Sequence, residues 1–375
     1  MILGELTSPR IIFMKKALSI LLFLSFCLIA KAQDTIRTYY DEDQELLKEI
    51  YVRINGKAQG QIKRYSEDGQ LIQIGFLKDD QRHGLFVDLD PATGDTIRIV
   101  PFLENQRNGL SKSFYPSGQI QQELNFNNNQ IQGKVTTYYP DGSLQDLTEF
   151  KNDRPNGLNE SFYENGEIQS RRNFSMGQFD GLVEEFDESG QKLRVATYSK
   201  GVLDGKEEQY YENGKIQSSI DYKKGLLDGA YILNFEDGSP QRRGTYKNGI
   251  AEGDLLEYFP DGSIRSQISY KKGIPTTPLL VYHANGKIAI ERKFVPNSDL
   301  VLSESFYFPN GQLQMKNTYL NGLLEGEVKI FREDGSLKEI KNFKKDKLDG
   351  KREFYDENGE LIRVEIYKAG KIEEK

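Results

Sequence analysis

A glycine returns every 24 residues through nearly the whole of this chain, and no other feature limits its fold as tightly. The series runs Gly69, Gly94, Gly118, Gly142, Gly166, Gly190, Gly214, Gly238, Gly262, Gly286, Gly311, Gly335 and Gly359, with a step of 25 only from 69 to 94 and from 286 to 311. Each glycine closes a short polar triplet such as Glu212-Asn213-Gly214 or Pro260-Asp261-Gly262. A period of this length signals a stack of identical supersecondary units, so the 375 residues do not convert into two ordinary domains.

Residue types within a unit report a β-hairpin. Pro116, Pro140, Pro260 and Pro309 stand two places before the glycine. That suits a three-residue loop with Pro at the first turn position and Gly in the left-handed region. Such a loop pairs the position four before the glycine with the position two after it, Tyr210 with Ile216 and Tyr138 with Leu144. The first of these positions is aromatic in eleven copies, among them Tyr138, Phe162, Phe186, Tyr210, Tyr258, Tyr282 and Tyr307. A second aromatic follows eight residues after the glycine, for example Phe126, Phe174, Tyr222 and Tyr270. Even spacing puts it on the same strand face, so one face carries apolar ladders.

After the second aromatic comes another turn, whose third residue is Gly, Asn or Asp in every copy but one, the exception being Ser298. Four residues later a further Gly recurs, as in Gly181, Gly205 and Gly229, where a kink or close backbone approach is expected. The fold expected is all-β: a single extended antiparallel β-meander or solenoid of about thirteen hairpins, hence twenty-six strands and a ribbon ~120 Å long at ~4.8 Å per strand. Residues 33–50 are expected to form a linker or a degenerate hairpin capping the first edge. The charged end from Lys368 to Lys375 is suited to guarding the other.

Lys15 and Lys16 precede an apolar run from Ala17 to Ile29 that ends in Ala30-Lys31-Ala32, the order of a Sec-type secretory signal peptide. Residues 1–32 are read as that signal, with Met14 a possible true start. The thirteen-residue run is short of the ~20 residues that span a bilayer. The chain is therefore expected to be exported, to a periplasmic, cell-surface or secreted location. Its one cysteine, Cys27, would leave with the signal. Removing Arg10, Lys15, Lys16 and Lys31 against Glu5 takes the formal charge from −7 to −10, a balance that argues against nucleic acid and anionic lipid as partners. Apolar content of 37% and a mean hydropathy of −0.64 fit a thin repeat stack better than a thick core.

The stretch from Tyr210 to Gly229, YYENGKIQSSIDYKKGLLDG, resembles the MORN repeat in its bacterial variant form: aromatic, Asn/Asp-Gly, aliphatic, Tyr-x-x-Gly and a further Gly. The resemblance covers residues 51–375. It implies binding of protein or lipid by an extended sheet without enzymatic activity in the repeats, and the antitoxin label common to this type implies neutralisation of a partner protein. The absence of Trp departs from the eukaryotic pattern and points away from phosphoinositides.

No catalytic residue or cofactor site is expected. His83 and His283, the only histidines, are 200 positions apart and read as turn residues. Asp88, Asp90 and Asp95, alternating carboxylates around Gly94, are the one weak calcium candidate; the competing reading is turn chemistry. The repeat rule breaks most between Pro275 and Leu302, where Pro275, Pro278 and Pro296 interrupt the ladder, Thr277 and Leu302 replace glycine and Ser298 breaks the turn. Such departures mark either a site or a tolerated kink. The leading functional expectation is a non-enzymatic scaffold that presents its aromatic row to a protein partner. The alternatives are binding of a carbohydrate or envelope polymer, and antitoxin-like neutralisation of a partner.

Overall fold

The computed structural model describes residues 33–374; the signal segment and Cys27 lie outside them. Two compact units divide the chain, one through Arg154 and one from Pro155, and both are built from the same hairpins. Every residue pairing described is antiparallel and joins strands consecutive in the chain or separated only by a two-residue piece. Among the described residues, thirty-four strands replace the expected twenty-six. Five of the strands are each broken in two near the recurring glycine, as Gln81–Arg82 and Gly84–Leu89 are at His83. The rest of the excess lies at the ends. Gln33–Tyr39 pairs with Leu47–Ile54, so residues 33–50 belong to a hairpin rather than a linker, and Lys371–Glu374 adds a last strand to Leu361–Lys368.

The loop geometry follows from the Pro-x-Gly chemistry. In every unit but one the loop glycine donates its N–H to the carbonyl three residues back, as Gly262 does to Phe259 at 2.9 Å, the exception being Gly94, which reaches Asp90; in all of them φ lies between +78° and +91°. The expected pairings form: Tyr138 opposite Leu144, Tyr210 opposite Ile216, Tyr355 opposite Leu361. One feature of the hairpin has no counterpart in the expected pattern. The register shifts by a residue just inside every such pair, a β-bulge that sets two residues on one strand against three on the other. The residue seven before the glycine is turned to an inner face, as Val135 and Val183 are buried.

That inner face holds the core. Val183 lies opposite Ala196 and Phe86 opposite Val100, all four buried. In the first unit Phe86 is 1% exposed and packs with Ala58, Ile62 and Leu77. Its ring occupies the space a side chain at Gly75 would need, since a Cβ there would sit 2.3 Å from the ring. Several polar residues of the inner face are paired. Ser161 and Ser170 share a hydrogen bond of 2.6 Å, Arg194 holds Glu207 at 2.7 Å, and Arg352 reaches both Glu339 and Glu365. Buried carboxylates persist only with such partners.

Successive units are tied by rungs 22 to 24 residues long. The residue three before the loop glycine donates to the carbonyl of the residue four before the next loop glycine: Tyr115 to Tyr138, Tyr163 to Phe186, Tyr211 to Asn234. The second turns are linked likewise, with Gly225 N–H on Leu203 O and Gly249 N–H on Leu227 O. These bonds fix the stacking of neighbours that no lone hairpin could supply.

Candidate functional site

The row of aromatics expected to face a partner is instead half-buried at all seven positions, Tyr138, Phe162, Phe186, Tyr210, Tyr258, Tyr282 and Tyr307. Several of their hydroxyls are already engaged. Tyr138 donates to Glu123 at 3.2 Å, Tyr210 donates to Glu208 at 2.8 Å, and Tyr282 accepts from Gln267 at 2.8 Å. Burial, followed by the hydrogen bond to Glu208 and that carboxylate's charge, pushes the Tyr210 phenol up to about 12. These rings stabilise the units, and an exposed aromatic row is not what the array presents.

What it does present is aliphatic. The residue that follows the second turn is Val202, Leu226, Ile250 and Ile274 in four consecutive copies, exposed at 45%, 51%, 49% and 37%. Leu323 holds the same place further on and is also exposed. Val202, Leu226 and Ile250 lean over the turn of the next copy. A Cβ at Gly225 would lie 3.0 Å from Val202 Cγ1, one at Gly249 3.8 Å from Leu226 Cδ2, and one at Gly273 2.7 Å from Ile250 Cγ2. Leu300 stands over Gly322 in the same way, past the inserted residue. The corresponding residues in other copies are Gln81, Gln106, Gln130, Arg154, Gln178 and Lys347. The hairpin therefore accepts polar side chains here as well as apolar ones. Sequence reasoning passed over this position because it aligned the copies on glycines and aromatics. Comparing the residue after each second turn would have shown the switch from Gln to Val, Leu and Ile.

The irregular segment is a real break. Ile274–Pro275 and Leu279–Tyr282 are separate strands, and Thr277 Oγ1 accepts the Ser269 N–H at 2.9 Å. Pro275, Thr277, Pro278, Pro296 and Leu302 line one depression of about 720 Å3, together with Lys271, Lys272 and Lys293. Ser298 is not among its walls. Its N–H instead closes a wider turn on Val295 O, with Asn297 at φ +57° taking the left-handed conformation.

Asp88, Asp90 and Asp95 do not converge, which corrects the calcium candidate. Asp88 is held by Arg98 at 2.7 Å and by Gln73 at 2.5 Å. Asp90 caps its own turn through the N–H groups of Ala92 and Thr93, and these bonds hold its carboxyl below the usual range. Among the described residues no three His, Cys, Asp or Glu side chains gather as metal ligands. His83 occupies a kink, its N–H on Phe76 O, and His283 bonds Tyr307 O in the place that tyrosine fills in other copies. No helix among the described residues is long and apolar enough to cross a membrane.

The spacing that organises this geometry is also what the family comparison detects. The model of the MORN repeat variant matches residues 107–128, 131–152, 155–175, 203–224, 251–272, 301–321, 324–345 and 348–375. The chain belongs to the MORN repeat variant family. No curated protein matches it in sequence. Among solved structures, this MORN-variant chain is similar to the crystal structure of TcdB2-TccC3-TEV, at 14% identity and a TM-score of 0.16 over 93% of this chain and 19% of that one. It is also similar to a Tc holotoxin pore of Photorhabdus luminescens, at 10% identity and a TM-score of 0.15 over 91% of this chain and 23% of that one. The MORN-variant chain thus spans about a fifth of the proteins it resembles in structure, and scores this low carry no argument about function.

Proposed function

We propose that this MORN-variant array is an exported, non-enzymatic scaffold that binds another protein through the aliphatic row from Val202 to Leu323. One observation carries the reading: four consecutive copies keep Val202, Leu226, Ile250 and Ile274 exposed at a position where other copies hold Gln, Lys or Arg. Exposed apolar residues that the fold does not require, repeated in line, suit a protein interface. At two strands per copy the row advances ~10 Å per side chain, a spacing that matches an extended partner surface. Catalysis would call for one unusual constellation, whereas the polar groups of the inner face are spent on one another. The basic-apolar-small order of residues 1–32 supports export. A glycan reading rests on open aromatic faces, and half-buried rings give it less support. Neutralisation of a toxin would be one instance of protein binding.

The test is a variant carrying Val202→Gln, Leu226→Gln, Ile250→Gln and Ile274→Gln. These substitutions copy what other repeats already contain, so thermal unfolding should match that of the parent chain. A protein retained from envelope extract by the parent and lost from the folded variant is the expected result. Equal retention by both would assign binding to another surface.

A further inference from the structure

The first unit contains a cleft that neither the repeat rule nor the scaffold reading accounts for. Its volume is about 570 Å3, within the range of small-molecule sites. Arg82, Arg98 and Arg107 line it, with Asp88 as the only acidic side chain among its walls. Arg98 is neutralised by Asp88 at 2.7 Å. Arg82 and Arg107 have no carboxylate within ion-pair distance among the described residues. In a chain with a formal charge of −7, two guanidinium groups without a close ion pair in one concavity stand out against the overall balance.

Both arginines are held by aromatic rings. The Arg82 guanidinium carbon lies 5.2 Å from the ring centres of Phe86 and of Phe102, which meet edge to face at 5.1 Å. Arg107 lies 4.0 Å above Phe126. Phe102 pairs in register with Arg107 while its ring contacts Arg82, so the two cations approach the same strand from either side. Their backbones are fixed as well, since the N–H of Arg82 is capped by Asn105 and that of Arg107 by Asn129, each at 2.8 Å. Stacked, backbone-anchored guanidinium groups are preorganised donors. Burial, and then the charge of Arg64, lowers the Arg82 pKa against the opposing charges of Asp88 and Glu49.

The sequence position strengthens the case. Arg82 and Arg107 each stand thirteen residues after a loop glycine. The same place holds Ile131, Pro155, Phe179, Leu203, Leu227, Ala251, Pro275, Leu324 and Leu348 in other copies. Two consecutive units thus replace an apolar residue by arginine at a position the array otherwise keeps apolar.

We propose that this cleft binds a small organic oxyanion, with a carboxylate or phosphate held by Arg82 and Arg107 and its apolar part against Phe126, Leu124 and Ile131. Arginine suits this role because its planar fork meets either group with two hydrogen bonds. The test titrates the full chain with benzoate, with phenyl phosphate and with benzamide as the uncharged shape match, followed by calorimetry and NMR. The variants are Arg82→Leu and Arg107→Ile, which restore residue types used elsewhere in the array. Arg82→Lys and Arg107→Lys keep the charge and remove the fork. The expected result is saturable binding of at least one anion and weaker binding of benzamide. Affinity should fall about tenfold or more in each aliphatic variant, with unliganded melting temperatures equal to or above the parent's. Preference between benzoate and phenyl phosphate would tell a carboxylate ligand from a phosphate ester. Three results would overturn the proposal: no saturable binding of either anion, affinity retained in both aliphatic variants, or benzamide binding as tightly as benzoate. If the aliphatic variants misfold, full affinity in both lysine variants would equally contradict a bidentate site.

Discussion

At the scale of single residues, glycine and tyrosine carry most of the constraint, for different reasons. Gly229 has φ +132°, and a Cβ there would lie 2.7 Å from the Asp221 side chain, whereas Gly253, at the same repeat position, has φ +78° and open space around it. Gly253→Ala should therefore cost about 1 kcal/mol for the left-handed backbone alone. Gly229→Ala should cost roughly 2 kcal/mol or more, because steric displacement is added. Urea unfolding of the two variants checks the difference, and equal losses would mean the close approach is unimportant. Tyr210 supplies a pH dependence. Its phenol is raised from an ordinary value near 10 to about 12, first by burial and then by Glu208. The folded pKa exceeds the unfolded one, so this contribution is complete below pH ~10 and disappears as pH rises through about 12. The stability gap between the parent and Tyr210→Phe should stay constant up to pH ~10 and narrow above it. Melting curves across that range provide the measurement, and a gap independent of pH would refute the assignment.

At the scale of the hairpin, the sequence was legible wherever a residue type has one conformational use. Pro-x-Gly located the loops and the opposition of Tyr210 and Ile216, because Pro fixes φ and Gly alone accepts the left-handed turn at no cost. The second turn was half legible. Gly201 announced positive φ, but Lys200, at φ +49°, did not, since lysine carries no such bias and takes that conformation only because a two-residue hairpin turn requires it of both residues. The bulge left no mark in the sequence. Period-two alternation assigns residues to a face without telling which face is covered. That is why Tyr138 and Phe162 were expected on an open surface and are half-buried. Arg82 and Arg107 were visible as letters, but their meaning depended on knowing that the same register position is apolar in other copies.

At the scale of the molecule, the 24-residue period predicts modularity. Removing residues 215–238 deletes one unit in register and restores the same kind of rung between the flanking copies, so the shortened chain should keep its β-sheet circular dichroism and unfold cooperatively. Removing residues 215–226 deletes half a unit, reverses the direction of every later strand and should give a misfolded or aggregated product. Equal behaviour of the two deletions would argue against nearest-neighbour stacking as the source of stability. The claim on which the functional account turns is that the row of Val202, Leu226, Ile250 and Ile274 is a protein-binding surface rather than a by-product of repetition. The most direct test measures the affinity of the protein retained by the parent array against chains in which these residues are changed to Gln one, two and four at a time. Stepwise loss, with thermal stability unchanged, is the predicted result. An affinity that does not move when all four are replaced would contradict the account.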